Sequence, residues 1–548
     1  MKDLKVIVDK KEYKVKQGTT LLELSKIVYN EENNYLAAII SNEMRNLSQK
    51  IDRDIEVTFL DTKTKAGSRI HKKGLIYILE YAVKELYGKN NKIKVCHSID
   101  KGTKIKTNFE INETIIDDIK IKMQEIVNKK MPFERCLLKR KNAQEYFRDI
   151  KDFTKADAFN YINNSYIYLY KLGDMYNYFY SVMPPHTGTL KEFDLLLLDN
   201  YNLLLQYPSF YQGIIPDYVD RPTITNAYNE NYRSAKRLNI SCSSDLNKAI
   251  ANGKINDIIK LDEIVANNKL LTLAGLIHDK QEEIKIVLIA GPSSSGKTTT
   301  ARKLSMFLKT YGLNPKALST DDYFIPRAKT PILPNGEYDY ENIKSINTNL
   351  FNEHLIKLLN HEEVEIPTYN FKKGEPEYLG NKIKLEKNDI LIIEGLHGLN
   401  EELTKDIKRE DKFKVYVSPL TDLNIDDHNM ISTSDVRLLR RMIRDNRTRG
   451  YNVTDTIRVW ETVRQGEEDY IFPYQSEADF AYNTALIYEI GVLKIFAEPL
   501  LYEVETNSPQ YEEARRLIDF LSMFLAIPTD AIPSDSLLRE FIGNGYFD

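Results

Sequence analysis

The chain has 548 residues, 42% of them hydrophobic, which is enough apolar material for about three or four domains. Its 76 Lys and Arg residues against 80 Asp and Glu residues give a formal net charge of −4, which excludes the global basic field of many nucleic-acid-binding proteins, so a polyanion site must be local. The three distant cysteines argue against a disulfide framework, and neither a signal sequence nor an apolar run near the ~18 residues of a membrane span is present, so we expect a cytoplasmic protein without a membrane partner.

Residues 1–62 are predicted to form a first, small unit of alternating strands around one helix. Strands are expected at Leu4–Val8, Glu12–Val15, Leu36–Ile40 and Glu56–Leu60, with a helix at Leu21–Tyr29 that Thr20 caps. This β-β-α-β-β order, with the turn QGTTLLELS, resembles the TGS β-grasp domain at the front of threonyl-tRNA synthetases. The resemblance implies a TGS-like β-grasp domain.

Residues 63–235 are tyrosine-rich and are predicted to form an α+β unit. The helix His71–Gly88 and the segment Tyr170–Leu195 resemble the two core segments of the second, editing-type domain of the same synthetases. That family carries a His-x-x-x-His pair and a Cys-x-x-x-His pair, and the matching positions here are Lys73, Tyr77, Phe179 and Met183. Because these side chains offer neither thiolate nor imidazole, we hypothesise that the unit keeps the fold and has lost the editing chemistry. A remnant metal site at His71, His97 and His186 is the less favoured alternative.

Three further segments complete the predicted organisation. Residues 236–282 carry apolar positions at helical spacing and are predicted to form a helical connector. Residues 283–490 alternate buried strands with helices, as in a parallel-sheet domain, and residues 491–548 are predicted to form a helical extension.

The run IKIVLIAGPSSSGKTTTA, residues 284–301, carries the strongest motif of the chain. A buried strand is followed by the complete pattern G-x-x-x-x-G-K-[ST] and then by a helix, which makes a chance match in a Gly/Ser-rich turn the weaker interpretation. Backbone N–H groups of such a P-loop surround phosphate oxygens, and its lysine reaches the β and γ phosphates. The predicted nucleotide-binding residues are Gly291, Ser293, Ser294, Ser295, Gly296, Lys297, Thr298 and Thr299.

Acidic residues follow two later strands of the same predicted sheet. The run ALSTDDYF ends a strand beside Asp321, which is our candidate base for an attacking hydroxyl, whereas Asp322 is better placed to cap a helix. The run ILIIEGLHGLN ends a strand at Glu394, a position from which a carboxylate can hold Mg²⁺ together with the Thr298 hydroxyl.

A third feature is the arginine-rich run SDVRLLRRMIRDNRTRG, residues 434–450. Arginines recur there at helical spacing, and apolar residues are expected on the opposite face. We predict a lid over ATP, in which Arg437 and Arg441 serve catalysis while Arg440 and Arg444 contact the nucleotide. A solvated basic face or an RNA contact is the alternative.

Taken in order, GPSSSGKT, DDYF, IIEG and DVRLLRRMIRD resemble the uridine kinase and phosphoribulokinase family over about 210 residues. The resemblance implies a P-loop kinase fold with a parallel sheet and makes Asp321 the catalytic aspartate and Glu394 the metal-linked glutamate. It also implies substrate contacts from Asp321, Tyr323, Asp339, Tyr369, Phe371 and Arg437.

The chain departs from uridine-cytidine kinases at the position that reads the base. Those enzymes place a histidine five residues after the base-stacking tyrosine, and here that position is Gly374. The aspartate that follows the tyrosine in the family is Asn370 here. The identity of the acceptor is therefore the least determined part of the prediction.

We accordingly expect a multidomain α/β protein that transfers the γ phosphate of ATP or GTP, with Mg²⁺, to the 5′-hydroxyl of a nucleoside such as uridine or cytidine. A kinase for another sugar or small alcohol stays open. So does a nucleotide-sensing regulator that binds RNA through its N-terminal half, although the overall charge does not indicate it. A homo-oligomer is also left open.

Overall fold

The computed structural model describes residues 2–29, 34–333, 336–421 and 423–547. Its first unit is a five-stranded mixed sheet of order β2-β1-β5-β3-β4, in which β1 and β5 run parallel. Leu4, Val6 and Val8 alternate into the small core beneath the single helix, as the period-two pattern predicts. The elements are β1 Asp3–Val8, β2 Lys11–Lys16, α1 Leu21–Tyr29, β3 Ala37–Ile40, β4 Glu43–Arg45 and β5 Ile55–Leu60.

The second unit is built on a long helix and two antiparallel sheets of order β10-β9-β8 and β11-β12-β7-β6. The helix α2 (Lys65–Tyr87) starts at Thr64, whose side chain accepts from the Gly67 N–H, and buries Leu75 to Leu79. The other elements are β6 Ile93–Ile99, β7 Gly102–Thr107, α3 Glu113–Asn128, β8 Glu134–Lys139, α4 Arg140–Asp149, α5 Phe153–Ala158, β9 Tyr166–Leu172, β10 Met175–Asn177, β11 Asp194–Asp199 and β12 Asn202–Gln206.

A parallel sheet of order β14-β17-β13-β18-β19 forms the centre of the third unit. Every residue of β13 is buried, as expected for a strand covered on both faces. The strands are β13 Ile286–Ala290, β14 Asn314–Ser319, β17 Asp389–Gly395, β18 Lys412–Ser418 and β19 Phe480–Asn483, and a separate hairpin pairs β15 Val364–Asn370 with β16 Glu375–Ile383. All five sheet strands end at the same edge, and the predicted P-loop and acids follow three of them.

The connecting segment and the C-terminal extension share one hydrophobic core with one face of this sheet, whereas the helix Thr348–Leu359 packs in a separate core on the other face. Leu270 and Leu273 of the connecting segment and Leu517 and Phe541 of the C-terminal extension belong to the same buried cluster as β13. The helices are α6 Pro222–Arg237, α7 Ser243–Ala251, α8 Ile255–His278, α9 Lys297–Thr310, α10 Thr348–Leu359, α11 Thr433–Arg449, α12 Val453–Tyr470, α13 Glu489–Tyr502, α14 Tyr511–Leu521 and α15 Arg539–Ile542. The boundary predicted at residue 490, between the parallel-sheet domain and the helical extension, falls inside α13.

Residues 423–431, which come after β18 in the chain, join the third unit to the second. The Asn424 side chain donates to the Val95 carbonyl, and the Val95 N–H donates to the Asp427 carbonyl, both over 2.8 Å. Buried Lys155 forms ion pairs with Asp152 over 3.1 Å and with Asp426 of this segment over 3.4 Å. The two halves are thus connected by buried polar contacts as well as by the chain.

Among the described helices, none combines the length and the apolar character needed to cross a bilayer.

Candidate active site

The loop between β13 and α9 has the conformation that its glycines allow. A Cβ at Gly291 would lie 2.0 Å from the Val417 carbonyl oxygen, and Gly296 has a φ of +89°, so both positions require glycine. The hydroxyls of Ser294 and Ser295 are buried and, within the described ranges, have no hydrogen-bond partner. Phosphate oxygens at the N-terminus of α9 would satisfy these groups, so the loop fits a nucleotide triphosphate.

The Lys297 side chain folds back over the loop. Its Nζ donates to the Pro292 carbonyl over 3.2 Å. Burial lowers the pKa of Lys297, while the charges of the Glu394 and Asp321 carboxylates act in the opposite direction. The ammonium is therefore positioned between the phosphate loop and the acids.

The two predicted acids end neighbouring strands. Ser319 of β14 lies opposite Glu394 of β17, and the Ser319 hydroxyl donates to Glu394 over 3.2 Å. Burial and the neighbouring Asp321 charge raise the pKa of Glu394 to about 7. Asp321 has solvent-accessible surface, but burial by the surrounding protein raises its pKa, and the positive charges of Lys297 and Arg449 counteract that effect. Asp321, Glu394 and Lys297 therefore lie near one another at this edge of the sheet.

The donor set at this edge suits Mg²⁺. No cluster of three or more His, Cys, Asp or Glu side chains that could hold a metal occurs in the described part of the chain. Mg²⁺ bound beside phosphates needs only one or two protein oxygens, since water and phosphate supply the rest. Glu394 and the Thr298 hydroxyl are the residues that would hold it.

The arginine helix α11 differs from the predicted one-sided arrangement, because Arg437 and Arg440 are fully buried. Arg437 donates to both carboxylate oxygens of Glu467 over 2.9 and 2.7 Å, and Glu467 in turn accepts the Ser293 N–H over 2.9 Å. Arg440 donates to Glu489 over 2.8 Å and to the Thr484 carbonyl over 2.9 Å. These two arginines lie behind the P-loop and hold Glu467 and Thr484, which bond to its backbone. The catalytic and substrate contacts expected of Arg437 and the nucleotide contact expected of Arg440 are therefore not formed in this conformation.

Arg441 and Arg444 reach the side of the helix that borders the phosphate site. Arg441 donates to the Ser293 hydroxyl over 2.9 Å. Arg444 pairs with Asp445 over 2.7 Å, and Arg449 is 52% exposed. The charges of Arg449 and Arg444 both lower the pKa of Asp321, so these cations lie near the candidate base.

On the acceptor side, Asp339 and Tyr369 are buried. Asp339 accepts from the Asn342 amide over 3.2 Å and from the Tyr470 hydroxyl over 3.4 Å. The Tyr369 ring lies 5.0 Å from the exposed Phe371 ring, edge to face. Tyr323, in contrast, is packed into the core and bonded to His354 over 3.0 Å, so its predicted substrate contact is not formed in this conformation.

The space beside Gly374 is filled by Arg327. A Cβ at Gly374, whose φ is +78°, would lie 2.9 Å from Arg327 atoms. The Arg327 Nε donates to the Tyr340 hydroxyl over 3.0 Å, and its Nη2 donates to the Phe371 carbonyl. A guanidinium thus borders the aromatic pocket at the position where the family's base-reading histidine is missing.

Two carboxylates at the site were not predicted. Glu341 is oriented inward beside Gly466, has one oxygen without a partner in the described ranges, and has its pKa raised to about 7 by burial and by the Glu467 charge. Glu540 of α15 accepts from the Thr299 hydroxyl over 2.6 Å and from the Thr299 N–H over 3.3 Å. Glu341 lies two residues after the predicted substrate residue Asp339, but nothing in the sequence near Glu540 relates it to the P-loop.

Comparisons with known proteins concern this part of the chain. Residues 286–485 match the family model of the phosphoribulokinase/uridine kinase family. A uridine kinase of Bacillus pumilus is 29% identical over 195 residues, which are 35% of this chain and 83% of that enzyme, and a uridine kinase of Halobacterium salinarum is 25% identical over 193 residues, with shares of 35% and 76%. Among solved structures, D-glycerate 3-kinase from Cryptococcus neoformans var. grubii is 15% identical, matches 48% of this chain and 90% of its own, and has a TM-score of 0.21.

The family match begins at the first residue of β13 and ends just after β19, so it contains the whole parallel sheet and the edge where the acids meet the P-loop. The two uridine kinases are matched over most of their own length. The C-terminal half of this chain therefore holds a domain of the phosphoribulokinase/uridine kinase family, and the chain is an ATP-dependent kinase.

Proposed function

We propose that this kinase transfers the γ phosphate of ATP or GTP to the 5′-hydroxyl of a nucleoside, with uridine or cytidine as the first candidates. The observation that carries the proposal is that Asp321 follows β14 at the sheet edge that holds the P-loop and Glu394, near enough to Lys297 for their charges to interact. The exposed Phe371 ring, which packs edge to face on the buried Tyr369 ring, supplies a surface on which a planar base can stack.

Different residues of the chain have different roles in the in-line transfer of the phosphate. Asp321 accepts the proton of the attacking hydroxyl and orients it. Lys297, Arg441 and Arg444 stabilise the negative charge that spreads over the transferred group, and bound Mg²⁺ adds further charge neutralisation. Asp339, already held by Tyr470 and Asn342, is positioned to accept hydrogen bonds from a ribose hydroxyl.

Arg327 is proposed to read the base in place of the missing histidine. A guanidinium only donates, and two Arg327 nitrogens are already used on Tyr340 and Phe371, which fixes the direction of the remaining donors. Uracil and cytosine both present a carbonyl acceptor at the same ring position. A donor at this site therefore suits either pyrimidine.

The test is the substitution Asp321→Asn, with the adjacent Asp322→Asn as the matched control. We expect kcat to fall about 10² to 10⁴-fold in Asp321→Asn while ATP binding is kept, because the base acts on the hydroxyl and not on the nucleotide. Asp322→Asn should retain most of the activity. Equal turnover in the wild type and in Asp321→Asn would contradict the assigned base.

The acceptor is tested with labelled ATP against a panel of nucleosides, phosphosugars and small alcohols. Turnover of uridine or cytidine above the other compounds supports the proposal. Turnover of a sugar or small alcohol with no turnover of any nucleoside would replace it with the alternative acceptor class.

For the N-terminal half we propose a TGS-like unit and an editing-like unit without hydrolytic activity, in a cytoplasmic protein. Met183 and Phe179 are buried, and the Tyr77 hydroxyl donates to the carbonyls of Tyr170 and Met175. Packed side chains thus fill three of the four positions where the synthetases carry their site residues, and the fourth is Lys73. An assay of mischarged-tRNA hydrolysis should show no activity above background, and measurable hydrolysis would contradict the proposal.

A further inference from the structure

A cavity of about 550 Å³ lies between the N-terminal half and the kinase domain, apart from the P-loop. One wall is a face of α2 that presents Arg69, Lys72, Lys73 and Ile76 at helical spacing. The opposite walls come from strand β9, from the start of α11 and from α14. The volume is within the usual range of small-molecule sites.

The walls of this cavity carry an excess of positive charge. Seven Lys or Arg residues line it against four Asp or Glu residues, in a chain whose total charge is −4. Much of the acidic charge is already engaged, since Asp435 accepts two hydrogen bonds of 2.8 Å from Arg516. Four of the seven cations are paired with carboxylates, Arg45 with Glu43, Arg69 and Arg516 with Glu513, and Arg515 with Asp519, so the positive charge left for a ligand lies on the other three.

Three of the cations have no carboxylate within ion-pair distance among the described residues: Lys72, Lys73 and Arg135. The Lys73 Nζ donates to the Ser181 hydroxyl over 2.7 Å and lies 4.0 Å from the centre of the Tyr180 ring. The Lys72 Nζ contacts only the weakly accepting sulfur of Met430, over 3.7 Å. Burial lowers the pKa of Lys73 well below its ordinary value, and the nearby charges of Arg516 and Lys72 lower it further. An anion between the two lysines would relieve this repulsion.

The cavity also offers aromatic surface. Tyr166 and Tyr168 alternate with buried Ile167 along β9, and their side chains are 52% and 45% exposed. The Arg135 guanidinium lies 3.6 Å from the centre of the Tyr168 ring. Exposed tyrosine rings beside stacked guanidinium groups are a surface on which a planar ring binds through stacking and cation–π contacts.

We propose that this cavity is a second ligand site, which binds a nucleotide-sized phosphorylated compound with a planar ring. Lys72 and Lys73 hold the phosphate, and the tyrosine face of β9 receives the ring. The proposal stands independently of the acceptor of the kinase reaction, because its readout is binding that depends on Lys73 and Tyr168, which both lie outside the family match.

The experiment measures equilibrium binding of UMP, CMP, AMP and GMP, with ribose 5-phosphate as the ring-free probe, to the full chain carrying Lys297→Ala, which weakens binding at the P-loop. We expect at least one nucleotide to bind, and the added substitution Lys73→Met to weaken it about tenfold or more through the loss of a charge-assisted hydrogen bond. Lys89→Met, an exposed lysine that follows α2, is the matched control and should leave the affinity unchanged.

Tyr168→Ala is the second variant, because an exposed side chain can be removed without unfolding the chain. This substitution should weaken the binding of nucleotides severalfold and should change the binding of ribose 5-phosphate little. Nucleotide affinities that are the same with and without Lys73→Met and Tyr168→Ala overturn the site. Ribose 5-phosphate that binds as tightly as the nucleotides overturns the assignment of a planar ring.

Discussion

Arg327 and Gly374 lie 47 positions apart in the sequence, yet one side chain occupies the space that the other residue leaves open. The N–H of Arg327 donates to the Gly374 carbonyl over 2.8 Å, which fixes the loop that bears the guanidinium. The acceptor pocket therefore depends on a pair of residues and not on a single motif position.

We expect Arg327→Met to raise the KM for the nucleoside about tenfold and to change kcat less, because a hydrogen bond from a charged donor contributes about 1.5 kcal/mol or more to binding. Steady-state kinetics with uridine and cytidine measure this effect. Lys329→Met, an exposed residue two positions later, is the control. An unchanged KM in Arg327→Met would show that the guanidinium does not contact the base.

The residues of the phosphate site could be predicted because they lie at or beyond the carboxyl ends of parallel strands, which meet at one edge of the sheet. Glu394 is the next-to-last residue of β17, Asp321 comes shortly after β14, and Lys297 follows the loop after β13. Arg327 could not be predicted, because its role arises from the positive φ of Gly374 and from a loop contact that no periodic pattern records.

At the scale of elements, the arginine helix combines two functions in one sequence pattern. Its helical form and its arginines could be predicted, but the burial of Arg437 and Arg440 could not. Their partners Glu467 and Glu489 lie 30 and 49 residues later in the chain. The sequence therefore does not indicate which arginines are paired with a carboxylate. A buried arginine is stable only with such a partner.

We expect Arg440→Ala and Arg444→Ala to separate these functions. Arg440→Ala should reduce the free energy of unfolding by about 3 to 5 kcal/mol, because Glu489 is left as an unpaired buried charge. Arg444→Ala should leave the thermal midpoint nearly unchanged and lower kcat at least tenfold. Thermal unfolding and single-turnover kinetics measure the two effects, and the reverse pattern would contradict the assignment.

Glu540 of the C-terminal helix α15 accepts hydrogen bonds from the N–H and the hydroxyl of Thr299. Thr299 is in the first turn of α9, where phosphate oxygens would bind. Removing the charge of Glu540 should therefore tighten ATP binding, and we expect Glu540→Gln to lower the Kd by about tenfold because a competing charge-assisted contact is lost. The exposed Glu503→Gln is the control. Weaker ATP binding in Glu540→Gln would mean that Glu540 assists the nucleotide instead of competing with it.

At the scale of the whole molecule, the strands and helices of each unit largely follow from hydrophobic periodicity, whereas the contacts between the units do not. The sequence around Lys155 predicts an ordinary surface lysine, yet the side chain is fully buried between Asp152 and Asp426. Pairing of charges across 271 positions leaves no local signal.

This buried pair should make stability depend on acid. Burial alone would raise the pKa of Asp152, but the charge and hydrogen bonds of Lys155 lower it to about 2. Asp152 then contributes about 2 kcal/mol to the free energy of unfolding at neutral pH. The whole contribution is present above about pH 4, and it is lost as the pH falls towards 2. The difference in thermal midpoint between the wild type and Asp152→Asn should therefore shrink over that range.

Asp157→Asn provides the control, because Asp157 is half exposed and its ion pair with Arg148 is of the kind that contributes little. It should show no such pH-dependent difference. A midpoint difference for Asp152→Asn that stays constant from pH 7 to pH 3 would contradict the assigned role of the carboxylate.

Residues 423–431 extend from the parallel sheet towards the edge strand β6, where the Asp427 carbonyl accepts the Val95 N–H and the Asn424 amide donates to the Val95 carbonyl. Such an edge would otherwise be open to pairing with other chains. Expressing the first 235 residues alone should thus yield a fragment prone to self-association, and co-expression with the remainder should restore solubility. The catalytic portion in this way shields an edge strand of the portion that precedes it from intermolecular pairing.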